Sequence, residues 1–145
     1  MEQTSGPLGP VLGLDLGEAR IGVALSDPDR RVAIPLGTVK TGSPPGELRA
    51  IADIAAEHGV TAVVVGLPVS MSGNRGDRAQ RATAFARALE DVLAVSVEMQ
   101  DERLSTVEAE RRLRSSGVRT RARRSVIDQT AATVILQSWL DARAG

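Results

Sequence analysis

Apolar positions open the chain as two short β-prone runs. Val11 to Asp15 and Ile21 to Ser26 flank the turn-like "LGEAR" and predict a hairpin. "AIPLGTV", Ala33 to Val39, predicts a third strand, and "TGSPPG" the loop after it. The period then changes. Leu48, Ile51, Ile54 and Ala55 recur at helical spacing through "ELRAIADIAAEHG", with Gly59 as the stop. "TAVVVGLP" is a short unbroken apolar run, the pattern of a strand buried on both faces. Glycine and serine in "VSMSGNRGD" predict a mobile loop, and a helix follows from about Arg78 to Leu93. "AVSVEM" predicts a fifth strand. "STVEAERRLRSSG" reads as a helix that opens on a capping box, Ser105 with Glu108, and stops at Gly117. A basic loop leads to a last helix from about Ser125 to Arg143.

The order βββαβαβαα implies an α/β fold, a five-stranded mixed sheet with helices on both faces. Right-handed crossovers place the fourth strand beside the first, and ligands of such sheets bind at the carboxyl ends of adjacent strands. A length of 145 residues suits one domain, read here as 11–145 behind a disordered tail, 1–10. The tail "MEQTSGPLGP" lacks the positive start and apolar stretch of a secretory signal. No apolar run approaches the roughly 18 residues of a membrane span, and without cysteine there is no disulfide framework or thiolate zinc site. The expected compartment is the cytoplasm, with no membrane partner.

Charge changes the picture because of where it falls. The formal net charge is zero, yet Arg103, Arg111, Arg112, Arg114, Arg119, Arg121, Arg123 and Arg124 face only Glu108 and Glu110 in that stretch. Basic clusters of this kind bind phosphate backbones, and a solvated helix face is the plainer reading. Arg75 and Arg78 in "MSGNRGDR" would grip phosphates from the loop, and Arg103 would contact a phosphate or hold an acid in place. Phe85 and Trp139 fall at helical apolar positions, where core or dimer packing outweighs base stacking.

Three acidic positions are awkward as pure structure. Asp15 ends the first strand inside an apolar run, where Gly13 and Gly17 leave room for a close ligand. Asp101 and Glu102 follow the fifth strand in "MQDERLST". Asp128 starts the last helix, and Ala131 and Ala132 let that helix approach the sheet closely. Each has a plainer role: Asp15 in its own turn, Asp101 or Glu102 before a helix cap, and Asp128 as the cap partner of Ser125. Brought to one sheet edge, these carboxylates would repel unless cations neutralise them. Carboxylates suit hard ions such as Mg²⁺ or Mn²⁺, and two such ions can drive phosphodiester displacement. Asp101 shares strand parity with Val97 and Met99, so it points toward Asp128 if that apolar set faces the last helix. The lone His58 sits at a helix end and offers no Ser/His chemistry.

The stretches "GLDLGEARIGVALSD", "VVVGLPVSMSG", "FARAL", "DERLSTVEA" and "IDQTAATVILQSWL" resemble, in order, the signatures of the bacterial YqgF/RuvX family. The likeness runs from about Val11 to Leu140. It implies an RNase H-like fold and a cytoplasmic nuclease using Mg²⁺ or Mn²⁺, with a role in trimming the 5′ end of precursor 16S rRNA. It also carries the alternative of a Holliday junction resolvase. By motif match Asp15 corresponds to the first catalytic acid, Asp101 or Glu102 to the second and Asp128 to the last. Wider resolvase relatives usually keep an acid at the end of the fourth strand, where this chain has Gly66.

The leading expectation is a metal-dependent nuclease, a hydrolase acting on pre-rRNA or branched DNA as monomer or homodimer. A resolvase would need two sites and so a dimer. "DLGEARIG" also resembles the first phosphate motif of actin-like ATPases, of which this chain would be half. A non-catalytic RNA-binding assembly factor is the remaining class.

Overall fold

The computed structural model describes residues 8–17, 19–67, 76–101 and 120–144, with side chains of the last helix from Thr130 onward. Five strands form one sheet: β1 (Val11–Leu16), β2 (Arg20–Ser26), β3 (Ala33–Lys40), β4 (Ala62–Leu67) and β5 (Ser96–Asp101). Their order is β3-β2-β1-β4-β5. β1–β2 and β2–β3 are antiparallel, whereas β1–β4 and β4–β5 are parallel. The expected mixed sheet and the place of β4 beside β1 are therefore observed. β1 lies centrally and every one of its residues is buried, which is why its sequence is apolar apart from one residue.

Helices α1 (Pro44–His58), α2 (Gly76–Val92) and α3 (Thr120–Ala144) cover the sheet on both faces. One face packs Leu12, Leu14, Val63 and Val65 against Ile51 of α1 and Phe85 and Leu89 of α2. The other packs Val11, Ala62 and Val64 against Ile135, Leu136, Trp139 and Leu140 of α3. Phe85 and Trp139 are core residues, as expected. Gly59 ends α1 in the left-handed conformation, φ 62°, and donates its N–H to the carbonyls of Ala55 and Ala56. His58 lies in that helix's last turn.

Three expectations are corrected. First, α3 starts at Thr120, more than a turn before the expected Ser125. Arginine and alanine are strong helix formers, so the backbone of Arg121, Arg123 and Arg124 belongs to the helix and not to a basic loop. Asp128 consequently lies two turns inside α3 and cannot be its N-terminal cap. Second, β5 runs Ser96–Asp101, because its register against β4 starts at Ala62↔Ser96; Asp101 is the strand's last residue rather than its successor. Third, α2 starts at Gly76, within the expected loop. The expected helix at 105–117, the rest of that loop, and Arg75, Glu102, Arg103 and Arg119 lie outside the described residues.

Leu8 to Pro10, expected within the tail, are fastened to the fold. Gly9 donates to the Pro28 carbonyl, Thr61 donates its N–H to the Pro10 carbonyl, and Arg30 reaches the carbonyls of Leu8 and Gly9. The β2–β3 turn is closed by Asp27, whose Oδ1 accepts the N–H of Arg31 at 2.8 Å and of Val32 at 2.9 Å. Those amides, Val32 foremost, hold the Asp27 carboxyl below the usual carboxylate range.

Candidate active site

Among the described residues Asp15 and Glu47 are the buried charged ones, Asp15 being 5% exposed in the middle strand of the sheet. Alternation puts it on the same face as Val11 and Gly13, beneath α3. Its cross-strand partner on β2 is Gly22. The β1–β4 register, Leu14↔Val65, continues to put Gly66 abreast of Asp15 on the other side, and Gly66 pairs with Gln100 of β5. The carboxylate thus sits between two strands that present no side chain beside it. Oδ1 of Asp15 is buried and accepts no hydrogen bond from the described residues, although the residue as a whole does engage a partner. A carboxylate taken out of water in this way demands compensating positive charge.

α3 lies tight against this face. A Cβ on Gly13 would stand 2.7 Å from Cβ of Leu136 and 3.2 Å from the carbonyl oxygen of Ala132. The space that Gly13 leaves is occupied by the helix, so the expectation that it clears room for a ligand is overturned. Ala131 and Ala132, buried at 1% and 0% exposure, meet the expectation of close approach. Two strand residues advance about 6.6 Å and one helical turn about 5.4 Å. Asp15 lies two residues beyond Gly13 on this face, and Asp128 one turn before Ala132 in α3.

The fifth strand brings Asp101 to the same edge but onto the opposite face. Val97 and Met99, which share its parity, pack on the α1–α2 core. Glu98 and Gln100 take the α3 face: Glu98 Oε1 meets Trp139 Nε1 at 3.4 Å, and Gln100 Nε2 donates to Ser138 Oγ at 3.2 Å. The apolar set of β5 does not face the last helix, so the ground for placing Asp101 toward Asp128 is removed. Asp101 itself is exposed. Among the described residues no three acids, histidines or cysteines converge. Arg78 is exposed in the first turns of α2.

Two residues tied to the turn after Asp15 were not singled out in the sequence. Arg81 of α2 donates through Nη1 to the Gly17 carbonyl at 2.6 Å. Its Nη2 stands 3.8 Å from Oε2 of Glu47, a buried acid of α1. Only the early acid of "SPPGEL", before the apolar spacing of α1 begins, could have hinted at Glu47. Among the described residues no helix is long and apolar enough to cross a membrane.

Comparison with known proteins agrees with this geometry. The model of the family described as RuvX, Holliday junction resolvase, matches residues 9–142. A Chloroflexus aggregans protein with the provisional name pre-16S rRNA nuclease is 50% identical over 133 residues, covering 92% of this chain and 94% of that one. An Anaeromyxobacter dehalogenans protein of the same name is also 50% identical, over 92% of this chain and 97% of its own. Among solved structures, T. thermophilus RuvC in complex with Holliday junction substrate superposes with a TM-score of 0.62 at 18% identity, covering 94% and 96% of the two chains. Fowlpox virus resolvase with Holliday junction DNA gives 0.57 at 9% identity, over 92% and 97%. Identities this low establish the fold alone, and it is the RNase H-like one.

Proposed function

The chain belongs to the RuvX family and is a nuclease, a hydrolase of phosphodiester bonds, and from that premise we propose that it trims the 5′ end of precursor 16S rRNA in the cytoplasm. The relatives at about half identity, each named for that RNA, support the substrate. The buried Asp15 at the carboxyl end of the central strand carries the chemistry.

The residues fit a hard divalent cation, Mg²⁺ or Mn²⁺. Asp15 is a buried carboxylate whose Oδ1 accepts no hydrogen bond from the described residues, its neighbours across both strands are glycines, and the acids in question are hard oxygen donors. Such an ion, when bound, supplies an activated water and neutralises charge developing on the displaced oxygen. Asp15 and Asp128 are the first ligands in this reading. Of the two acids after Met99, the face taken by Asp101 favours Glu102 as the third. Gly22 and Gly66 set no side chain beside Asp15 on either neighbouring strand. Arg75, Arg78, Arg103, Arg119, Arg121, Arg123 and Arg124 hold the flanking backbone by charge. In this reading one domain, with Leu8 to Pro10 fastened to it, acts as monomer or homodimer.

The test is cleavage of a pre-16S rRNA fragment and of a four-way DNA junction in parallel, with Mg²⁺ and with Mn²⁺. Wild type is expected to shorten the RNA, and Asp15→Asn to bind it without cutting. Equal cleavage by the two proteins refutes the role of Asp15. Symmetric nicking of the junction with intact RNA would make the protein a resolvase, and RNA binding without cleavage under any divalent ion would make it an assembly factor.

A further inference from the structure

The turn that follows Asp15 is fastened from outside its hairpin. Within the hairpin, Gly17 donates its N–H to the carbonyls of Asp15, at 3.1 Å, and Arg20, at 3.0 Å. From outside, the Gly17 carbonyl accepts the short 2.6 Å bond from Arg81 Nη1, and the Ala19 carbonyl accepts the Thr41 N–H at 3.1 Å. Arg81 is oriented in turn by Glu47 Oε2 at 3.8 Å. The same Oε2 accepts the N–H of Gly42 at 3.0 Å, just before α1. One relay therefore runs from the loop before α1, through Glu47 and Arg81 of α2, to the backbone two residues beyond Asp15.

Glu47 has only 7% of its side chain exposed and Arg81 35%, and an ion pair with one member out of water commonly holds a fold no better than an apolar pair would. What a charged, directional pair does supply is position. Ligands of a metal centre must be held within about 0.5 Å of their working geometry, and the end of a strand frays unless something holds it. A guanidinium on a carbonyl oxygen is a strong, oriented bond, and here it pins the peptide that closes the Asp15 turn.

We propose that Arg81 and Glu47 are positioning residues that set the Asp15 carboxylate for divalent-cation binding. The proposal rests on the reading of Asp15 as a metal ligand. Neither residue touches substrate or ion; both act through the Gly17 peptide.

The experiment uses the full chain and compares wild type with Arg81→Ala, Arg81→Lys, Glu47→Gln and Asp15→Asn. Mn²⁺ affinity of the protein alone is measured by calorimetry, amide exchange at Gly17 in metal-free protein by NMR, and RNA affinity without divalent ions by fluorescence anisotropy. Arg81→Ala is expected to weaken Mn²⁺ binding about 10-fold or more, the usual scale for residues that orient a ligand. It should also speed exchange at Gly17 and leave RNA affinity unchanged. Arg81→Lys, which keeps one donor, should recover part of the loss, and Glu47→Gln should fall between. If Arg81→Ala does not fold, the Lys and Gln variants carry the same comparison. Wild-type Mn²⁺ affinity in the Arg81 and Glu47 variants, beside a lost affinity in Asp15→Asn, overturns the positioning role alone. A loss confined to RNA affinity also overturns it, and makes Arg81 a substrate contact. Wild-type Mn²⁺ affinity in Asp15→Asn overturns the reading of Asp15 itself.

Discussion

A single methyl group added at Gly13 tests the contact that holds α3 over Asp15. The Cβ of Gly13→Ala would stand 2.7 Å from Leu136 Cβ, 3.2 Å from the Ala132 carbonyl oxygen and 3.4 Å from Leu136 Cδ2. Carbon atoms in contact rest at about 3.5–4.0 Å, so the overlap with Leu136 Cβ is roughly 1 Å. Neither a Cβ nor a carbonyl oxygen can rotate away, so the helix itself must lift. Overpacking of this kind costs about 1–3 kcal/mol. The smaller conformational entropy of an unfolded alanine returns about 0.4–1 kcal/mol. The net cost at mid-range is about 1.3 kcal/mol, and at about 2–4 °C per kcal/mol for a chain near this length Tm should fall by about 3–5 °C. Trp139 is the sole tryptophan, 2% exposed on α3, so its fluorescence follows both the melt and the displacement. A 1 Å misplacement near a reacting centre can cost about 100-fold in rate, and cleavage should fall on that scale as α3 moves away from Asp15. An unchanged Tm with lost cleavage would refute the packing account and return Gly13 to the role of clearing space for a ligand. Wild-type behaviour in both assays would refute the close approach of α3.

The remaining expectations concern separate parts of the molecule. Asp101→Asn should retain most Mn²⁺-dependent cleavage while Glu102→Gln loses it, because Asp101 faces away from α3; the reverse result would restore Asp101 as the ligand. The Asp27 carboxyl is held below its usual range by the amides of Val32 and Arg31, so its contribution is present above the unfolded-state pKa and lost as pH falls through the folded one. Asp27→Asn keeps the acceptor oxygen but not the titration, and urea midpoints should fall less steeply in the variant as pH drops from about 5 to about 2; parallel curves would sink this. Arg143 stacks over the buried Trp139 at 3.9 Å and meets Glu98 at 2.7 Å, Arg143 and Glu98 both being nearly half exposed. Arg143→Ala should cost about 1–2 kcal/mol by denaturant titration, since a half-exposed ion pair and a cation–π contact at the protein surface each give about 0.5–1; a loss several times larger would show that the pair is not screened by solvent.

Much of this protein could be read along the chain, because the signals are local. Alternation and helical spacing named the strands and the helices, and the apolar runs of β1 and β4 marked two of the three strands with a neighbour on each side. Asp15 stood out for the same reason: a carboxylate inside such a run has no solvent to turn to. Four features were decided only by the fold. The length of α3 removed Asp128 from the cap position that Ser125 suggested, since arginine-rich sequence continues a helix as readily as it forms a loop. Gly13 proved to admit a helix, a contact between segments far apart in sequence. Arg81 and Glu47 lie on different helices and meet only because both pack on one face of the sheet. Strand parity groups Asp101 with Val97 and Met99, but parity says nothing about which helix covers that group. The sequence determined which residues share a face; only the packing of α2 and α3 on opposite sides decided which face looks toward Asp15.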